Sequence, residues 1–282
     1  MKPINLLFDS WSTQVLYQQA PPSYPSGVKP GNKSPNNAPA VTGMRLNTLF
    51  GAIKSAGQSQ STWQPDQTWN VSFTTPPITA AQLSNVTVYI SLTRFQHKPF
   101  AYTNDELKAI RKWVEGGGNV LLMTNHGPTP DAPDDDWTVN DAPLAQLFDV
   151  TLQNYLVKGA SKEMSICDPV NGNAPTMMAH DSCIMVPPSG VTVTTIAVFP
   201  PGWQAWSQKS GYIDPPHPYF ALLVPYNSSG GGKLLLIGNS GWLGDEGSPN
   251  PAQGLAPYRN NLQFALNCIG YLAGLTNSAG GS

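Results

Sequence analysis

Three short apolar runs that end abruptly in polar residues constrain the fold of this chain most strongly. They read INLLFDSW at 4–11, NVLLMTNHG at 119–127 and KLLLIGNSGW at 233–242. A nearly unbroken apolar run of this length is typical of a strand that is buried on both faces, as in a parallel sheet. We therefore predict that the three segments are parallel strands of one sheet.

Helical patterns alternate with strand patterns along the chain. Apolar residues recur at helical spacing in 42–57, 103–118, 140–153 and 258–274, and Thr103 with Glu106 forms a Thr-x-x-Glu capping box. Segments 68–75 and 85–92 are rich in β-branched and aromatic residues and are further predicted strands. This order predicts an α/β fold with an open, mostly parallel sheet and helices on both faces, of the flavodoxin-like type.

Residues 156–228 interrupt the alternation. Short β-like pieces lie there between Pro and Gly clusters without a helical period, which predicts an antiparallel, β-rich insertion. We interpret 1–282 as a single α/β domain that contains this insertion, because the chain is long enough for one large core. Residues 275–282 are predicted to form a flexible tail.

The composition excludes some partners and favours a location. Only 11% of the residues are charged, against about 25% in a typical domain, and the net charge is −2. A basic field that would attract nucleic acid is therefore absent, and no run of about 18 apolar residues predicts a membrane span. The low charge favours an extracellular or cell-envelope protein if a signal peptide has been removed, and otherwise a cytoplasmic one.

Three cysteines leave the disulfide question open. Cys268 lies in the apolar pattern of the last helix and is expected to be buried. Cys167 and Cys183 flank a stretch rich in Gly, Asn and Pro, and they could either close a loop as a disulfide or remain free.

Polar residues at the predicted strand ends indicate where a site should lie. Ligands of open parallel sheets bind beyond the carboxyl ends of the strands, and parallel strands place these ends at one edge. Amide and hydroxyl groups beside an indole suit a polyol or a glycan. The predicted ligand-binding residues are Ser10, Trp11, Asn125, Asn239 and Trp242. Helix capping and packing against the sheet edge are the alternative roles for the same residues.

A catalytic interpretation uses neighbouring residues. His126 would act as a general base with Asp9 or a loop carboxylate, and Ser240 would be a nucleophile if a base lay beside it. The loop that follows the predicted strand at 119–127, which we call the aspartate loop, carries Asp131, Asp134 and Asp136. These residues could bind Ca²⁺ or form a solvated acidic surface. No other cofactor is predicted, because zinc spacing, a P-loop and a dinucleotide fingerprint are all missing from the sequence.

The segments TNDELKAIRKWVEGGGNVLLMTNHG and GGKLLLIGNSGW, with the helix YRNNLQFALNCIGYLAG, resemble the glutamine amidotransferase-like superfamily. The nearest similarity is to its uncharacterised extracytoplasmic branch, which includes trehalose-utilisation-like proteins and domains beside gliding-type ABC transporters. The resemblance implies a flavodoxin-like fold. In active members a nucleophilic Cys lies in a Gly-x-Cys-x-Gly elbow with a later His and Glu.

This chain departs from that pattern. The strand end that corresponds to the Gly-x-Cys-x-Gly elbow reads Thr124-Asn125-His126-Gly127 here. The late strand ends in Asn239-Ser240, where the later His and Glu would be expected. Thiol-based glutamine hydrolysis is therefore not expected. We predict a catalytically degenerate amidotransferase-like domain that binds a polar ligand, for example a glycan, or that serves in self-assembly or binding of a protein partner. The alternative is a hydrolase that uses His126, with or without a metal.

Overall fold

The computed structural model describes residues 3–12, 46–56, 68–96, 100–160, 163–172, 174–227, 230–243 and 259–275. Apart from Leu275, the predicted tail lies outside these residues. The described strands are β1 (Ile4–Phe8), β2 (Trp69–Phe73), β3 (Val88–Leu92), β4 (Asn119–Met123), β5 (Thr151–Lys158), β6 (Glu163–Ser165), β7 (Thr176–Met178), β8 (Ser182–Val186), β9 (Thr194–Val198), β10 (Gln204–Ser207), β11 (Gly211–Ile213), β12 (Tyr219–Pro225) and β13 (Lys233–Ile237). The described helices are α1 (Asn47–Ala56), α2 (Ala80–Leu83), α3 (Asn104–Glu115), α4 (Ala142–Gln146) and α5 (Arg259–Leu272), and a 3-10 turn spans Gly241–Leu243.

The main sheet has the order β2-β1-β3-β4-β13-β12-β9. Its first five strands are parallel, and β12 and β9 extend it in antiparallel pairing. The order of the parallel part is that of a doubly wound, flavodoxin-like sheet, in which the chain changes direction between β1 and β3. The predicted fold class is confirmed.

Alternating side chains of the central strands separate two cores. In β4, Leu121 and Met123 contact the core that includes α1 and α5, whereas Val120 and Leu122 contact the core that includes α2, α3 and α4. β13 divides its residues in the same way. Each apolar residue of these strands is thus buried, which explains why the strands read as unbroken apolar runs.

The β-rich region builds part of the main sheet and two smaller sheets. β9 and β12 join the main sheet, whereas β5, β8, β10 and β11 form a four-stranded sheet, and β6 pairs with β7. The predicted helix over 140–153 is wrong beyond Gln146, because β5 already begins at Thr151. Asp149 has a φ of 56°, which is incompatible with a continuing helix.

Helix α3 begins as the sequence predicts. The Thr103 hydroxyl accepts a hydrogen bond from the Glu106 N–H, and the Glu106 carboxylate accepts one from the Thr103 N–H. Among the described helices, none combines the length and apolar character needed to cross a membrane.

Of the two alternatives for Cys167 and Cys183, the structure has the unpaired one, in which both are free thiols. Cys167 is exposed after β6, where its N–H donates to the Ile196 carbonyl, whereas Cys183 is fully buried within β8. Cys268 is buried in α5, as predicted.

Candidate functional site

The end of β3 contributes Arg94 to the crevice between β1 and β3. The Arg94 Nε donates to Asp9 Oδ2 at 2.6 Å, and its Nη2 donates to Glu106 Oε1 at 3.2 Å. All three side chains are fully buried. The guanidinium also lies 3.4 Å from the centre of the Tyr102 ring, a cation–π contact. Open sheets of this order bind ligands at this crevice, but here a side chain of the protein occupies it.

Asp9 therefore acts as an internal counter-ion. Burial would lower the pKa of Arg94, but the Asp9 carboxylate raises it, and the guanidinium pKa lies well above its ordinary value. Asp9 also accepts hydrogen bonds from the Tyr102 hydroxyl at 3.1 Å and from the Trp11 N–H at 3.1 Å. These contacts leave the predicted base partner of His126 fully committed to Arg94 and its surroundings.

Asp141 adds a third carboxyl group to this buried region. Its Oδ1 accepts the Arg94 backbone N–H at 2.9 Å, whereas its Oδ2 has no hydrogen-bond partner among the described residues. The Thr124 hydroxyl is buried beside this carboxyl group, and its interaction with Asp141 opposes the effect of burial on the Asp141 pKa. Burial raises the pKa of Asp141 to about 8, so this carboxyl is protonated at neutral pH.

Thr93, just before Arg94, has a φ of 55°, which a β-branched residue rarely adopts. Its hydroxyl lies 2.9 Å from the Met123 carbonyl oxygen and 2.9 Å from Ser240 Oγ. Ser240 is buried. The predicted nucleophile thus takes part in holding the strained end of β3.

A second polar cluster lies where β4 and β13 end and β8 begins. Asp181 Oδ2 accepts from His180 Nδ1 at 2.7 Å and lies 3.8 Å from His126 Nε2. Asn239 donates from its Nδ2 to Asp181 Oδ1 and, at 3.4 Å, to Asn125 Oδ1. We call these five residues the carboxyl-edge cluster. The His180 side chain is 35% exposed and that of His126 is 14% exposed, so the cluster reaches the surface.

Asp181 is held as a carboxylate. Burial would raise its pKa, but the nearby His126, the hydrogen bond from His180 and the Asn239 amide together lower it below the ordinary value. A negative charge is thus fixed beside two imidazole rings, an arrangement typical of functional sites.

Two glycines let the four-stranded sheet approach this edge. A Cβ on Gly238 would lie 1.8 Å from Ser182 Oγ, and a Cβ on Gly127 would lie 2.1 Å from the Asn154 backbone. The Gly127 N–H also donates to the Tyr155 carbonyl at 2.9 Å. Close packing at these two points brings Asp181, next to Ser182, to the ends of β4 and β13.

The structure thus divides the predicted site residues between different places. His126, Asn125 and Asn239 lie together in the carboxyl-edge cluster. Ser10 binds Thr74 through its backbone and side chain, and Trp11 packs against Phe100 with ring centres 5.7 Å apart. Trp242 is fully buried, with its ring centre 5.5 Å from that of Phe264.

The aspartate loop is largely occupied by its own contacts. Asp136 Oδ1 accepts from the Thr138 N–H at 2.9 Å and from its hydroxyl at 2.7 Å, and Asp135 accepts from Gln96. Asp131 and Asp134 are exposed. In the described part of the chain, no group of three or more His, Cys, Asp or Glu residues is arranged to hold a metal ion.

Sequence reasoning missed Asp181 and Arg94. The adjacent His180-Asp181 pair before a strand was a usable signal, but nothing in the sequence indicates that this pair meets His126. Arg94 lies two residues after the buried strand β3, and a fully buried arginine is unusual unless it is paired.

The part of the chain that the structure describes contains further open clefts away from both clusters, of which two are considered below. The larger, about 600 Å³, is at the amino end of β4 and β13, on the opposite edge of the sheet, and Lys112, Lys233 and Tyr271 line it. The smaller, about 350 Å³, lies between α3 and α4. Neither contains the perturbed acidic groups described above.

Neither a protein-family model nor a curated protein matches the chain. Several solved structures share its fold. The mmIFT52 N-terminal domain is 12% identical, with a TM-score of 0.58 over 95% of this chain and 96% of that one. A cytoplasmic protein from Salmonella typhimurium LT2 is 11% identical, with a TM-score of 0.53 over 95% and 99%. A ThuA-like protein from Bacteroides uniformis ATCC 8492 is 10% identical, with a TM-score of 0.51 over 96% and 91%.

These similarities show a shared fold. The ThuA-like neighbour has the same fold, which agrees with the flavodoxin-like architecture that the sequence resemblance implied. The closer resemblance to domains beside gliding-type ABC transporters remains a prediction.

Proposed function

We propose that this chain is a catalytically degenerate amidotransferase-like domain that binds a polar ligand, for example a glycan, at the carboxyl-edge cluster. The observation that carries the proposal is the convergence of His126, Asp181 and Asn239 from three separate segments at a partly exposed place. Helix capping, the alternative role for these residues, does not require an ionised carboxylate between two imidazole rings. The low charge content supports an extracellular or cell-envelope location for such a binding domain.

The thiols support the loss of amidotransferase chemistry. Burial raises the pKa of both Cys183 and Cys268, so neither provides a thiolate near neutral pH. Cys167 is exposed after the short strand β6, and its backbone N–H binds β9 at the edge of the main sheet. The residue with strained backbone at the end of β3 is also not a cysteine: it is Thr93, whose hydroxyl contacts Ser240.

The test is a thermal-shift screen against sugars, oligosaccharides, amides and divalent cations. A ligand at 100 times its Kd should add about 2.7 kcal/mol of stability. Asp181→Asn removes the carboxylate and should abolish the shift. Asp105→Asn, at a side chain that is 91% exposed on α3, is the matched control and should retain it. If no compound shifts the unfolding temperature, a scaffold or assembly role replaces the binding role.

A hydrolase is the second candidate, and the His180–Asp181 hydrogen bond favours it. A carboxylate that accepts from one imidazole nitrogen orients the ring for proton transfer through the other. His180 would then be the base in place of His126, which the sequence suggested, and Asp181 would supply the carboxylate in place of Asp9 or the aspartate loop. The test is turnover of nitrophenyl esters and glycosides. Activity that is lost in His180→Gln and Asp181→Asn but kept in Asp105→Asn would establish it, and the absence of turnover would eliminate it for these substrates.

A further inference from the structure

The cleft of about 600 Å³ at the amino end of β4 and β13 is held open by specific contacts, and we call it the amino-edge cleft. The turn before β3, the end of α3, the starts of β4 and β13 and the end of α5 line it. Asn119 Oδ1 accepts the Lys233 N–H at 2.8 Å, and Asn119 Nδ2 donates to the Leu272 carbonyl at 2.7 Å. One side chain thus ties β4, β13 and α5 together beside a space of the size that small-molecule sites have.

Two glycine triplets, at 116–118 and 230–232, shape one wall of this cleft. A Cβ on Gly118 would overlap the Trp113 ring, and a Cβ on Gly232 would overlap the Gly118 carbonyl oxygen. The Gly232 N–H also donates to the Val114 carbonyl at 2.7 Å. The turns before β4 and β13 therefore pack directly on α3 and fix the position of Trp113 in the wall.

The charges of the amino-edge cleft are positive. Lys112 and Lys233 line it, and its lining contains no carboxylate. The ion pairs among the described residues involve other groups and leave both lysines without a carboxylate within 4.0 Å. Lys233 Nζ donates to the Tyr271 hydroxyl at 3.3 Å and lies 5.0 Å from the centre of that ring. An ammonium group has three donors, so Lys233 keeps two of them for a ligand.

Neighbouring negative groups do not cancel this charge. The ends of α3 and α5 each carry roughly half a negative charge, against two full positive charges on the lysines, so the cleft keeps a net charge of about +1. The last-turn carbonyls of Trp113 and Leu272 already accept hydrogen bonds within the protein. Glu115 lies outside the lining, where it accepts from the Tyr226 hydroxyl at 3.0 Å with Arg111 nearby.

We propose that the amino-edge cleft is a second binding site, for a small molecule that carries a phosphate ester. A phosphate monoester has a charge of about −1.5 to −2 at pH 7, which two lysines can balance, and lysine binds phosphate as a point charge. A neutral sugar or polyol gains nothing from these charges. The site lies at the opposite edge of the sheet from the carboxyl-edge cluster, and the inference does not depend on the proposed function.

The test is calorimetric titration of the full chain with glycerol 3-phosphate, glycerol and acetate at one low ionic strength. Glycerol 3-phosphate should bind, acetate should bind at least about tenfold more weakly, and glycerol should not bind. Lys112→Gln and Lys233→Gln should each weaken the binding of glycerol 3-phosphate about tenfold, the effect of one charge-assisted hydrogen bond. Lys209→Gln removes the same charge in the exposed turn between β10 and β11 and should leave the affinity unchanged.

The variants separate a site from general attraction of anions. Lys112 is exposed on α3, so its replacement should leave the fold intact, which circular dichroism checks. If Lys209→Gln weakens binding as much as Lys112→Gln does, overall charge attracts the phosphate and the inference is overturned. Equal affinity for acetate, or no binding of glycerol 3-phosphate, also overturns it. Asp181→Asn should keep the affinity for glycerol 3-phosphate, and its loss there would place the phosphate at the carboxyl edge instead.

Discussion

Replacing Asp141 with Asn should remove a large pH dependence of stability. Asp141 is buried beside the Arg94 network, and its pKa is raised from 3.8 to about 8 by burial. A folded-state pKa above the unfolded value means that the folded protein holds a proton that the unfolded chain releases. The corresponding stability is complete below pH 3.8 and is lost as the pH rises toward 8.

The size of the effect follows from the width of this interval. Each pH unit between the two pKa values costs about 1.4 kcal/mol of unfolding free energy. Over the whole interval the loss is on the order of 5 kcal/mol, a large share of the stability of a typical domain. The amide introduced by Asp141→Asn would keep the acceptor for the Arg94 N–H and cannot ionise. We expect the variant to match the wild type near pH 4 and to exceed it increasingly toward pH 8.

Urea unfolding at pH 5, 6, 7 and 8, followed by circular dichroism, measures the difference between the two proteins. Subtracting the unfolding free energies of the two proteins removes the contribution of groups that titrate equally in both. Asp181 is one of them: because its pKa is lowered, it makes the protein less stable as the pH falls, the opposite of the effect of Asp141. Asp105→Asn is the control for the loss of an exposed carboxylate. Parallel curves for wild type and Asp141→Asn would refute the assignment of a neutral Asp141.

Three other experiments test the packing of the same structure. Arg94→Ala leaves the buried carboxylates beside it without their cation and should cost about 3–5 kcal/mol in chemical unfolding; a cost below about 1 kcal/mol would contradict the buried network. Gly127→Ala places a Cβ against the β5 backbone and should destabilise the protein by about 1–3 kcal/mol. The control Gly51→Ala, within α1 and with open space around it, should stabilise the protein by about 0.5–1 kcal/mol. Equal effects of the two substitutions in thermal unfolding would show that the contact with β5 is not tight. In the native protein a thiol reagent should modify Cys167 quickly and Cys183 only on unfolding, and rapid labelling of Cys183 would show that β8 opens readily.

The sequence predicted the parts of the fold that depend on local periodicity. The apolar runs of β1, β4 and β13 could be predicted as strands because both faces of the central sheet are covered. The start of α3 could be predicted because the two residues of its capping box are only three positions apart. The helix over 140–153 was overextended, since the left-handed Asp149 is not encoded by a glycine and the residues after it keep an apolar character.

The candidate site was only partly predictable. The strand-end positions of His126, Asn125 and Asn239 meet in the structure, because parallel strands share one carboxyl edge. The partner carboxylate could not be found, because Asp181 is far from His126 in the chain and reaches it through contacts between sheets. Asp9 pairs with Arg94 instead of His126 for the same reason: Arg94 becomes its partner only once β1 and β3 pair.

The tight contact between Gly238 and Ser182 also has a mechanical consequence. β8 carries Asp181 just before its first residue, and the chain segments that follow it, β9 and β12, are hydrogen-bonded into the same sheet as β13, which leads to Asn239. The segments that carry Asp181 and Asn239 are therefore joined through one sheet. Moving Asp181 away from Asn239 would require breaking sheet pairing, so the fold itself fixes the spacing of these two residues.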